Sequence, residues 1–205
     1  MKVLLPLTYL GSIDYYAAWA QSTEVIIEKW ESFPKQTLRN RCKIYGANGP
    51  LELTIPIVHT EKKLVTSVHS DESSPWRNRH WQALVSAYRS SPFFEYFEAE
   101  LEPFYQSSGS NLFDELRELT ETLVRMSGLH NNIHFTNTFV KDYGEDVLDL
   151  RNHFKPSKHP QLFHQEAYHQ VFADKFGFHP NLSVLDLLSN EGRNTASYLK
   201  SVPVQ

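Results

Sequence analysis

A chain of 205 residues, 40% hydrophobic and 21% charged, has the composition of a soluble globular protein and argues against disorder. Its net charge of −4 argues against broad nucleic-acid binding, which needs a basic face. The longest apolar runs fall far short of a membrane span, and one cysteine, Cys42, leaves no disulfide within the chain, which suits the cytoplasm.

In chain order, the N-terminal "KVLLPL" reads as a short strand, with no signal-peptide cleavage site after it. Ser12 then caps a helix through "GSIDYYAAWAQS", with Ile13, Tyr16, Ala17 and Ala20 on one face. "TEVIIEKW" is the next strand, so the first 30 residues predict a βαβ unit and a parallel pair. "RNRCKIY" and the period-two "LELTIPIV" flank "GANG", and Asn48–Gly49 is a strong turn signal, which predicts a β-hairpin. In that hairpin Tyr45 faces Pro50, Lys43 faces Glu52 and Arg41 faces Thr54.

The middle is helical. Trp76, His80, Leu84 and Tyr88 share a face, "SPFFEYFEAELEPFY" continues the pattern until Pro103, and Leu112, Leu116, Leu119 and Leu123 stripe a helix that starts at Ser110 or Asn111 and stops at Gly128. "IHFTNTFV" reads as a strand, and the text around "HFKPSKHP" as loop. "QEAYHQVFADKFGF" reads as a helix stopped at Gly177. In "PNLSVLDLLSNEG", Ser183 and Asp186 have the spacing of a capping box, Leu182 and Leu187 that of a hydrophobic staple, and Gly192 is the stop. Asn194 can cap a last turn, "TASYLK". The expected fold is α/β: a mixed sheet with an N-terminal βαβ unit and β-hairpin, then a helical middle and C-terminal helices, in one domain over 1–205.

Several residues carry candidate chemistry. On an extended strand Arg39, Arg41 and Lys43 point to one face, and Asn40, Cys42 and Ile44 to the other. Lys43 has Glu52 as a cross-strand partner, whereas the two arginines have none on the hairpin. With Lys35 they form a basic cluster, either a phosphate site built on forked donors or a solvated edge guarded against aggregation. Asn40 is an inward amide that holds a loop or touches substrate. Cys42 is a nucleophile only if a base lowers its pKa, and otherwise a buried thiol. His80, with Trp76 as a substrate contact on the same face, is a core histidine or a general base. Seven of the 10 histidines lie from His130 onward, but no ligand spacing marks a metal site, and no metal or cofactor is assigned. Tyr168 and Gln170 can hydrogen-bond a sugar hydroxyl. Asn190 and Glu191 close a helix whose C-terminus disfavours a negative charge, which points Glu191 toward a cation, a substrate amine or an arginine.

Four segments resemble the WbqC-like family: "LLPLTYLGSIDYYAAWAQS" with "VIIEKW", "KQTLRNRCKIYGANGPLELTIPI", "WRNRHWQALVSAYRSSPFFEYF" and "YHQVFADKFGFHPNLSVLDLLSNEG". The resemblance implies a cytoplasmic protein of surface-polysaccharide or O-antigen biosynthesis, and a transferase role, including transfer of glycine to a sugar, has been proposed for some members. Many members carry paired aspartates after the second strand, where this chain has only Glu28 and Glu31. The chain is also short between "FTNTFV" and "YHQVF". On these grounds the expected function is a transferase acting on a phosphorylated or nucleotide-linked sugar. Arg39 and Arg41 would hold phosphate, His80 would take a proton, and Glu191 would orient the acceptor. The alternative is a non-catalytic accessory module. Neither nucleic acid nor a membrane span is among the expected partners.

Overall fold

The structure, a computed structural model, describes residues 1–34, 37–58, 63–107, 109, 111–130, 132–154 and 161–204. Lys35 of the basic cluster and Ser110, one of two candidate helix starts, lie outside these residues.

Strand β1 (Lys2–Leu5), helix α1 (Ile13–Ala20) and strand β2 (Glu24–Ile27) form the expected βαβ unit, with β1 and β2 parallel and Leu5 opposite Ile27. The Ser12 hydroxyl caps α1 by accepting from the Tyr15 N–H at 3.4 Å. The helix is buried on every side, from Ile13 to Ala20. Burial includes the charged Asp14, which must then be hydrogen-bonded. Its carboxylate accepts from the Leu162 N–H and from Gln165 Nε2, both at 2.7 Å, and its own N–H donates to Asn181 Oδ1 at 3.0 Å. The C-terminal region thus closes over the first helix.

Strands β3 (Arg41–Gly46) and β4 (Gly49–Thr54) make a hairpin that stands as a separate two-stranded sheet. The register is Arg41 with Thr54, Lys43 with Glu52 and Tyr45 with Pro50. Gly49 takes φ +106°, a conformation that favours glycine. The side chains differ from the expected pairing. Glu52 accepts from Arg41 Nη1 at 3.1 Å, so the diagonal neighbour holds it rather than Lys43, and Arg41 does have a partner on the hairpin. Arg39 does not share the face of Arg41 and Lys43 either: it precedes the strand, in a turn, and is buried.

Helices α2 (Trp76–Tyr88), α3 (Phe94–Gln106) and α4 (Leu112–Met126) follow. Helix α3 continues through Pro103 for three more residues, although that proline removes one intrahelical bond. Asn111 caps α4, its Oδ1 accepting from the Phe113 N–H at 2.9 Å, and Gly128 stops it at φ +67°. Strand β5 (Ile133–Phe135) pairs with β2, and β6 (Val147–Asp149) pairs with β1. The resulting sheet is parallel throughout, in the order β5-β2-β1-β6. The sequence reading has no strand at β6, because this short edge strand buries none of its residues fully and sits among acidic residues that hide any apolar pattern.

The C-terminal region holds α5 (Ala173–Phe176), α6 (Val184–Glu191) and α7 (Thr195–Ser201). Only the end of the expected helix over "QEAYHQVFADKFGF" is helical. Gln165, Tyr168 and Gln170 lie outside it and hydrogen-bond Asp14 and Asp186. The capping box is also replaced. Ser183 caps Leu185 N–H at 3.2 Å, but the Asp186 carboxylate turns inward to Tyr168 and Gln170, and the Ser183 N–H donates to the Lys43 carbonyl at 2.7 Å. Among the described residues no helix is long and apolar enough to cross a membrane.

Candidate functional site

In open parallel sheets ligands bind outside the carboxyl ends of the strands, where the strand order reverses. Here that point lies between β1 and β6, and side chains fill it. Arg39 donates to Glu31 from Nε at 2.8 Å and from Nη2 at 2.6 and 2.7 Å, and Nη2 also reaches the Arg151 carbonyl at 2.9 Å. Arg151 donates to Glu28 at 3.0 Å and to Asp149 at 2.6 Å, and Thr136 Oγ1 donates to Glu28 at 2.8 Å. The cavity left beside Glu28, Glu31 and Arg39 is about 10 Å³, room for one water at most. Burial raises the Glu31 carboxyl above its usual range, and Arg39 only partly offsets it. Arg39 has its donors turned into the protein, and this crevice holds no ligand-sized space. Among the described residues no three histidine, cysteine, aspartate or glutamate side chains converge as metal ligands.

The other residues singled out in the sequence lie in separate places. Asn40 donates to the Ile55 carbonyl at 2.8 Å and accepts the Ile55 N–H on its own carbonyl at the same distance, so it extends the hairpin. Cys42 is buried, and burial pushes its thiol up, away from thiolate chemistry. Trp76 is buried, donates to Glu72 at 3.2 Å and lies under the Arg77 guanidinium, 4.4 Å from the ring centre. His80 is enclosed by Tyr9 and Trp76, its Nδ1 3.0 Å from the Tyr9 hydroxyl, which in turn lies 2.9 Å from that of Tyr105. Burial, and secondly the charge of Arg79, lowers its pKa to about 4, so the imidazole is neutral at pH 7.

Tyr168 and Gln170 meet at Asp186. The Tyr168 hydroxyl donates to its Oδ2 at 2.6 Å and Gln170 Nε2 at 2.9 Å. Burial raises the Asp186 pKa to about 6, against hydrogen bonds from Tyr168, Gln170 and Tyr88 that pull it down. Asn190 Nδ2 donates to the Asp186 carbonyl at 2.8 Å, and its Oδ1 is buried with no partner among the described residues.

Glu191 is different, because it borders open space. Phe93 just before α3, Tyr96 and Phe97 in its first turn, Met126 at the end of α4 and residues 191–194 line a groove of about 650 Å³. That is the size of a small-molecule site, and aromatic walls with a few polar groups are its usual lining. The sequence builds it through two features. Helix α3 buries Phe94, Leu101 and Tyr105 on its inner stripe, which leaves Tyr96 outside the stripe and 73% exposed. Helix α6 stops at Gly192 with φ +54°, where an added Cβ would sit 2.7 Å from the Phe93 ring. Glycine therefore allows the ring to lie against the helix stop. Neither Glu191 nor Arg193 has a side-chain hydrogen bond or ion pair among the described residues. Sequence reasoning found Glu191 but missed Tyr96, Phe93 and Arg193. An aromatic residue off the buried stripe was the available signal for Tyr96; nothing local marks Arg193.

Arg39 thus lines one crevice and Glu191 another, Arg41 lies on the hairpin, and His80 is enclosed. Residues 8–159 match the family model described as the WbqC-like protein family. The match includes the aromatic wall of the groove and ends before Glu191, and the fourth resembling segment lies beyond it. No curated protein and no solved structure matches the chain.

Proposed function

Since the chain belongs to the WbqC-like family, we propose that it is a cytoplasmic transferase of surface-polysaccharide biosynthesis that binds a phosphorylated or nucleotide-linked sugar in the groove at Glu191. The observation that carries this reading is the groove itself: ligand-sized, walled by aromatic rings, and holding a carboxylate and a guanidinium that have no partner among the described residues. The apolar face of a sugar ring stacks on Tyr96. Arg193 offers a planar fork for phosphate, the role the sequence suggested for Arg39 and Arg41. Asn194 is placed for a hydroxyl. In an acyl or aminoacyl transfer, Glu191 takes the proton from the acceptor hydroxyl or amine as that atom bonds to the acyl carbon of an activated ester or thioester. The bond from that carbon to its leaving group breaks, and the leaving group is protonated in turn.

Saturation-transfer NMR with UDP-N-acetylglucosamine and with glucose 1-phosphate tests the site. Arg193→Ala and Tyr96→Ala should each weaken binding about tenfold, the scale of one charge-assisted hydrogen bond or one stacking contact. Unchanged binding in both variants would place the sugar elsewhere. A second reading, a non-catalytic binding module, draws on the same lining, which holds one carboxylate and no histidine, cysteine or lysine. Loss of turnover with retained binding in Glu191→Gln favours the transferase. Binding without turnover in the unaltered protein favours the module.

A further inference from the structure

Glu191 sits where several independent features favour a positive charge. It closes α6, an eight-residue helix with no basic residue in its last turn. The helix dipole there is negative and disfavours the carboxylate it carries. Phe93 and Tyr96 stand beside it with ring centres 6.4 Å apart and planes inclined by 42°. Their faces carry the negative side of the aromatic quadrupole, which attracts cations. Arg193 lines the same groove two residues on, and among the described residues it makes no ion pair with Glu191. The groove therefore has a negative corner at Glu191 and a positive one at Arg193.

We infer that the ligand of this groove is an amino sugar with a free amine, its ammonium seated on Glu191 and its phosphate on Arg193. The inference rests on the sugar reading above and adds the substrate class. A neutral sugar leaves Glu191 unpaired at the helix end, whereas an ammonium supplies the missing charge, donates up to three hydrogen bonds and lies against the rings. An N-acetylated sugar loses the charge, the cation–π attraction and two of the three donors, and brings a bulkier substituent into the same corner.

The test is titration calorimetry with glucosamine 1-phosphate, glucose 1-phosphate and N-acetylglucosamine 1-phosphate, which share the phosphate and differ at one position. Glucosamine 1-phosphate should bind about tenfold more tightly than the other two, the sum of a partly exposed ion pair and a cation–π contact. Glu191→Gln should erase that preference and leave glucose 1-phosphate within about twofold of its original affinity. Glu191→Lys should reverse the preference, and thermal melts of both variants check the fold. Equal binding of all three sugars, or a preference that survives Glu191→Gln, overturns the amine assignment and leaves the sugar site standing. Binding of none of the three removes the sugar reading, and the amine assignment with it.

Discussion

Asp186 offers the sharpest test of how this fold balances buried charge. Burial raises its pKa from 3.8 to about 6, so the folded protein favours the protonated acid relative to the unfolded chain. The resulting stabilisation is fully present below about pH 3.8 and is lost as the pH rises through about 6. At pH 7 the charged carboxylate leaves the fold about 3 kcal/mol less stable than a neutral group would, by the usual conversion of pKa shift to free energy. Asp186→Asn fixes the side chain in a neutral form of the same shape. Urea unfolding of both proteins between pH 4 and pH 7 isolates this group, since every other carboxylate is common to the two. The stability of the variant minus that of the wild type should rise by about 2–3 kcal/mol across the range, or about 5–10 °C in melting temperature for a chain of this size. A flat difference would refute the reasoning. It would mean that Tyr168, Gln170 and Tyr88 together hold the carboxylate charged at no net cost.

The remaining predictions concern the charged residues and the groove. Arg39→Met leaves Glu31 buried and unpaired and should cost about 3–5 kcal/mol in chemical denaturation, while the double change with Glu31→Leu should recover most of it. Arg41→Ala breaks only an exposed pair with Glu52, so it should shift stability by less than about 1 kcal/mol and leave sugar binding unchanged by calorimetry. Gly192→Ala forces a side chain into a left-handed conformation against the Phe93 ring. It should lower stability by about 1–3 kcal/mol and weaken sugar binding, both measurable on one purified sample.

Local chemistry made much of the fold legible. The Asn48–Gly49 turn fixes the register of the whole hairpin, because a slip of one residue would turn Ile44 and Leu53 away from the core. Ser12, Asn111 and Ser183 announce helix starts by the hydrogen bonds their side chains can make. What failed was choice of partner across distance. The alternation of the hairpin makes Arg39 a strand residue free for phosphate, yet Glu31 and the Arg151 carbonyl meet it inside the fold. Tyr168 and Gln170 lie in a segment that reads as a helix, yet both hydrogen-bond Asp186 from outside any helix. The groove was half legible: Glu191 stood out as a charge at the wrong helix end, while its aromatic wall comes from a helix about a hundred residues earlier in the chain.

The ties from Asp14 to Leu162, Gln165 and Asn181 bear on how the protein is made. Helix α1 leaves the ribosome before the groups that satisfy its buried carboxylate, which are synthesised about 150 residues later. Until they emerge, a helix with no solvated face must wait with a charge that has no partner. A chain ending at residue 159, where the family match stops, would remain in that waiting state. The two segments therefore commit to structure together, and α1 reaches its final state only after the later one has been made.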